Sequence, residues 1–124
     1  MIKPPMTAVI AERKIDVILP EGKAGKLTIQ IGRPGRDPNP NGDWYCPVCI
    51  RGMSKERVRS FFGIDPLQAL QFALGLLDLE VRAFAGPYQL SWLEHADLGL
   101  KPWFPKRKIK KAQTRKFTTR FRRP

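Results

Sequence analysis

The chain has 124 residues, 42% of them hydrophobic, with 23 Lys and Arg against 11 Asp and Glu and a formal net charge of +12. That length suits one domain with a modest core. Two cysteines exclude a disulfide framework, and no run approaches the roughly 20 apolar residues that span a bilayer. Glu12, Arg13 and Lys14 interrupt the apolar run Ala8–Ala11, so no secretory leader and a soluble cytoplasmic protein are expected.

Met1–Pro5 holds adjacent prolines that oppose regular structure, and a loose start is expected. Over 7–19, Ile15, Val17 and Leu19 alternate with Lys14, Asp16 and Ile18, the period of a half-buried strand. The Pro20–Gly25 turn leads to a second alternation over 26–33, with Leu27, Ile29 and Ile31 on one face, and the two runs form a hairpin. Pro34–Asp43 is dense in Pro, Gly, Asn and Asp and reads as an exposed loop. Trp44–Arg51 is a third strand and Val58–Ile64 a fourth.

The strongest helix signal covers 65–85. Asp65 is a capping residue, Pro66 suits the first helical position, and Gln68 is placed to reach back to the cap. Leu67, Leu70, Leu74, Leu77, Val81 and Phe84 share a face at steps of three and four. The apolar sector is wide, so burial on more than one side is expected, with part of it available to a second protein. Gly86-Pro87 ends the helix, and Tyr88–Leu93 is one further short strand. The expected fold is α+β, an antiparallel sheet of four or five strands covered on one face by a single long helix.

The charge is unevenly placed. Residues 101–124 hold 11 basic and no acidic residues, whereas residues 1–100 hold 12 basic and 11 acidic ones. The chain therefore divides into a nearly neutral domain, 1–100, and a basic tail, 101–124, expected to be flexible. In that tail Lys106, Arg107, Lys108, Lys110, Lys111, Arg115, Lys116, Arg120, Arg122 and Arg123 are interleaved with Trp103, Phe117 and Phe121. Cations neutralise phosphates and aromatic rings stack on bases, so nucleic acid or an acidic partner is the ligand class such a segment suits.

Chemistry-bearing motifs are sparse. Cys46-Pro-Val-Cys49 has the look of half a zinc ribbon, but the other ligands are missing apart from the distant His95. In an extended strand the two thiols point to opposite faces, which opposes a shared metal or a local disulfide. No catalytic spacing of nucleophile, base or paired carboxylates is present, and neither an enzyme nor a cofactor or metal is expected. Arg36, Trp44 and Tyr45 at the loop-to-strand junction form a candidate protein-binding edge, since Arg, Trp and Tyr dominate hot spots.

Gly42-Asp-Trp-Tyr-Cys-Pro47, Phe62-Gly-Ile-Asp65 with Leu67-Gln-Ala-Leu70, Leu90-Ser-Trp-Leu93 and Asp97-Leu-Gly99 together resemble a family of small uncharacterised bacterial proteins. The resemblance covers most of 8–100 and implies a stand-alone domain of strands followed by a helix, with no established activity. Cys49 and the tail after Lys101 depart from its pattern. The functional expectation is a non-catalytic binding module that docks another macromolecule or itself. By analogy of shape, its class is the antidote or inhibitor of a partner protein. The alternative is a nucleic-acid-binding accessory protein that uses its tail.

Overall fold

A computed structural model describes residues 2–40 and 42–102. The strands are β1 (Val9–Ile18), β2 (Ala24–Gly32), β3 (Gly35–Arg36), β4 (Trp44–Gly52), β5 (Lys55–Gly63) and β6 (Gln89–Ser91), and the helix α1 is Pro66–Ala85. All pairings are antiparallel. β5 pairs with β4 along its full length, so β2 and β3 share the other edge of β4. From Ile31↔Val48 to Gly35↔Tyr45 the first strand moves forward four residues while β4 moves back three. β3 is therefore a continuation of β2 beyond a bulge at Gly32–Pro34, where proline has no N–H to give the ladder. The sheet runs β5, β4, β2/β3, β1, β6.

The six-stranded sheet with one helix on it is the α+β architecture expected, with β3 as the strand that the loop-rich composition of 34–43 concealed. The sheet's alternation decides what is buried. Ile15, Val17, Leu27, Ile29, Ile31, Cys46, Val48 and Ile50 point to the helix side and are at most 5% exposed. α1 lies over β4 and β5, and its buried line is Ala69, Ala73, Leu77, Val81 and Phe84. This corrects the expected face: Leu67 and Leu74 are 62% and 46% exposed. Alanines at 69 and 73 let the first turns sit close to the sheet, which rolls Leu67 and Leu74 out onto the flank.

Asp65 accepts from Gln68 N at 2.7 Å, and Gln68 Oε1 reaches one residue past the cap to accept from Ile64 N at 2.9 Å. At the other end Gly86 has φ 69° and its N–H donates to Arg82 O, the left-handed stop that favours glycine. No helix among the described residues is long and apolar enough to cross a membrane.

The start of the chain is not loose. Pro4 is buried, Pro5 O accepts from the Tyr45 hydroxyl at 2.9 Å, and Thr7 Oγ1 donates to Arg33 O at 2.7 Å. Proline opposes a ladder but not an extended strap, and this one covers Tyr45 on the helix-free face.

The β4–β5 hairpin turns through Met53 (φ 52°) and Ser54 (φ 62°). Two left-handed residues make the turn that matches strand twist, yet neither is the Asn or Gly that accepts this conformation cheaply. Ser54→Gly is expected to stabilise the fold by about 0.5–1 kcal/mol, raising Tm by about 3–6 °C. A lowered Tm would show that this turn is not strained.

Candidate interaction surface

Strand alternation separates the two aromatics that sequence places side by side. Trp44 points to the helix side and packs against the edge of the core, while Tyr45 points to the opposite face and is 3% exposed. Burial also pushes the Tyr45 phenol pKa up, with nearby Asp37 adding to the shift. Tyr45 thus leaves the candidate binding edge, because its ring and hydroxyl are both used inside the chain. Arg36 lies directly across the strand pair from Trp44, its guanidinium 5.3 Å from the ring centroid. The pair remains at the surface, with Trp44 half-buried and Arg36 exposed.

Cys46 and Cys49 likewise face opposite sides. Cys46 is fully buried in the core, and desolvation pushes its thiol pKa up to about 11. Cys49 lies on the helix-free face, where its Sγ is 3.4 Å from Glu56 Oε2 and 3.4 Å from Arg51 Nη1. Burial first, then the Glu56 carboxylate, raise its pKa as well. In both cases burial is the first cause, and it favours the protonated thiol.

The rest of the helix-free face is a lattice of opposite charges. Glu12 pairs with Lys14, Asp16 with Lys26, and Arg51 with Glu56, while Gln30 bridges Glu12 and Arg51. Hydrogen bonds from Gln30 to Glu12, and from Arg51 to Glu56, lower the pKa of each carboxyl. These three cations and three carboxylates sum to zero.

The helix side is different. Along the flank of α1 facing β1, a groove of about 360 Å³ opens between Leu74 and Leu77 on the helix and Ala11, Ile29 and Ile31 on the sheet. Gly99, Leu100 and Lys101 close one end. This segment is held by Arg13, whose guanidinium stacks 3.7 Å from the Trp92 ring and donates to Leu98 O and Gly99 O at 3.1 and 3.2 Å. Leu98 is fully buried beneath it. A second hollow, which shares Leu100 and Lys101 with this groove, lies among Asp78, Arg82, Ala96 and Pro102. Sequence reasoning found the apolar helix but not this groove, because its far wall comes from β1 and from residues some 85 positions away.

The tail candidates Trp103, Lys106, Arg107, Lys108, Lys110, Lys111, Arg115, Lys116, Phe117, Arg120, Phe121, Arg122 and Arg123 lie outside the described residues.

A family model described as a domain of unknown function (DUF6968) matches residues 11–102. No curated protein and no solved structure matches the chain.

Proposed function

This chain belongs to the DUF6968 family, and from that premise we propose that it is a non-catalytic interaction module that docks a partner protein. The contact surface is the exposed flank of α1, and residues 101–124 add electrostatic attraction. The reading extends to a cytoplasmic bacterial protein of the antidote or inhibitor class. It rests on one observation above all: Leu67 and Leu74, seven residues apart on one helix face, stay 62% and 46% exposed, and Leu74 also lines the groove beside the helix. Exposed leucines of this kind, in register with a concave apolar wall, are what a partner's apolar anchors fill.

The double variant Leu67→Asp/Leu74→Asp tests it. Affinity purification of the full chain from its native host should recover a stoichiometric partner, lost at least about tenfold with the variant. Thermal melting should fall by no more than a few degrees, since Leu67 is mostly exposed and Leu74 nearly half so. Equal recovery with the variant, or no partner with either protein, would overturn the reading.

A second reading is favoured by the 11 basic and no acidic residues in 101–124, with Trp103, Phe104, Phe117 and Phe121 among them. Here the tail binds nucleic acid and the domain is its carrier. A gel shift should then weaken with salt at a log–log slope of about −0.7 per phosphate contacted on single strands. A slope near zero, or a shift unchanged on deleting 101–124, would remove it.

A further inference from the structure

Along the edge of the sheet formed by β5, the nine residues Lys55–Gly63 pair with β4 on one side only, and no described strand runs along the other. Alternate residues of an edge strand hold their N–H and C=O groups outward, a template for one more strand. The side chains around this template have a marked sign. Lys55, Arg57 and Arg59 stand at two-residue steps, about 7 Å apart, on the helix side. Lys3, Arg57, Arg59, Val58 and Phe62 surround a groove of about 360 Å³ along the edge.

Their charge is incompletely answered from within. Arg59 and Arg57 share one carboxylate, Glu80, at 3.5 and 3.9 Å, and Glu80 Oε1 accepts no hydrogen bond. Arg59 and Arg57 remain 56% and 39% exposed. Lys55 is used differently, donating to Phe84 O at 3.0 Å at the end of α1. On the outer side of the same strand, Val58 is half-buried and Phe62 is 49% exposed.

Taking the partner-binding reading as its basis, we infer that the outer edge of β5 accepts an extended acidic segment of a partner polypeptide as an added antiparallel strand. The added backbone pairs with the free N–H and C=O groups. Carboxylates at alternate positions meet Arg57 and Arg59, and the intervening apolar side chains lie against Val58 and Phe62. A second copy of the chain is disfavoured by the same charges. In the fully overlapped antiparallel register Arg59 faces Arg59, and a shift by one pair sets Arg57 against Arg59. A nucleic-acid strand answers the arginines but offers its phosphodiester backbone no donors for the outward carbonyls.

The test uses the full chain and a nine-residue peptide alternating valine and glutamate, with the valine–lysine peptide and a nine-residue-length thymidine oligonucleotide as comparisons. Amide hydrogen exchange is read residue by residue, because capture by the cationic tail alone leaves β5 unaffected. The valine–glutamate peptide should slow exchange at alternate residues of 55–63 by about tenfold or more, and the lysine peptide should not. Arg57→Gln/Arg59→Gln should weaken peptide binding by about tenfold, while exchange outside 55–63 in the peptide-free variant keeps the native pattern even if losing the partners of Glu80 lowers the melting temperature. Peptide binding without protection in 55–63, equal protection by the lysine peptide, or protection by the oligonucleotide alone each overturns the inference. If the edge fails while Leu67→Asp/Leu74→Asp still loses its partner, docking through the flank of α1 stands and the edge is not part of it. If that variant keeps its partner while the peptide protects β5, the reverse holds.

Discussion

Gly63→Ala is expected to destabilise the fold by about 3 kcal/mol, among the largest effects of any single methyl group in this chain. Gly63 ends β5, one residue from the loop into α1, and is buried. A Cβ at this position would lie 2.5 Å from the backbone N of Ala69 and 2.9 Å from the backbone carbonyl carbon of Gln68. Both are main-chain atoms of the first helical turn, so no side-chain rotation relieves the overlap. The turn must lift from the sheet, which opens the contact of Ala69 and strains the Asp65 cap. Urea unfolding should show the loss as a lower midpoint with little change in slope, and Tm should fall by about 10–20 °C. Ser60→Ala on the same strand should change stability by less than about 0.5 kcal/mol. A loss below about 1 kcal/mol for Gly63→Ala would mean that the helix start is not seated on the end of β5.

Arg13→Ala is expected to cost about 2–3 kcal/mol and, more specifically, to free the segment after β6. The side chain makes two charge-assisted hydrogen bonds, to Leu98 O and Gly99 O, and stacks on Trp92. Gly99 closes this arrangement: its φ is 71°, and a Cβ there would lie 2.5 Å from the Trp92 ring. Without the guanidinium, the two carbonyls lose their donor and fully buried Leu98 loses the clamp above it. Arg13→Lys should recover less than half of the loss, because an ammonium neither stacks as a plane nor spans both acceptors. Amide exchange in residues 92–101 should accelerate at least about tenfold in Arg13→Ala, beyond the change in β4. Uniform acceleration across the chain would show a purely global loss and refute the clamp. Since Gly99, Leu100 and Lys101 close the helix-flank groove, the same variant also tests whether that groove has a fixed end.

Gly63 and Gly99 each stand where an added Cβ would meet a neighbour. In the Phe62-Gly-Ile-Asp65 stretch, glycine admits the helix and aspartate caps it; in Asp97-Leu-Gly99, leucine plugs the core and glycine fits under Trp92. Asp97 also accepts from Gly99 N at 2.9 Å. These residues build the domain. The candidate surfaces lie elsewhere, on the flank of α1 and the edge of β5.

Caps, turns and strand periods, which are carried by neighbours within about four residues, were legible in the chain. Asp65-Pro66 and Gly86-Pro87 bounded the helix, the alternation around Ile15 and Leu27 defined the hairpin, and an odd spacing put Cys46 and Cys49 on opposite faces. Those signals are local because caps and strand periodicity are local. Packing across the sheet set which leucines of α1 stay exposed, that β3 extends β2, that Tyr45 is covered by the start of the chain, and that Arg13 holds residues 98 and 99. Each of these depends on strand order and on how closely the helix approaches the sheet. No periodicity along the chain encodes a contact across dozens of intervening residues.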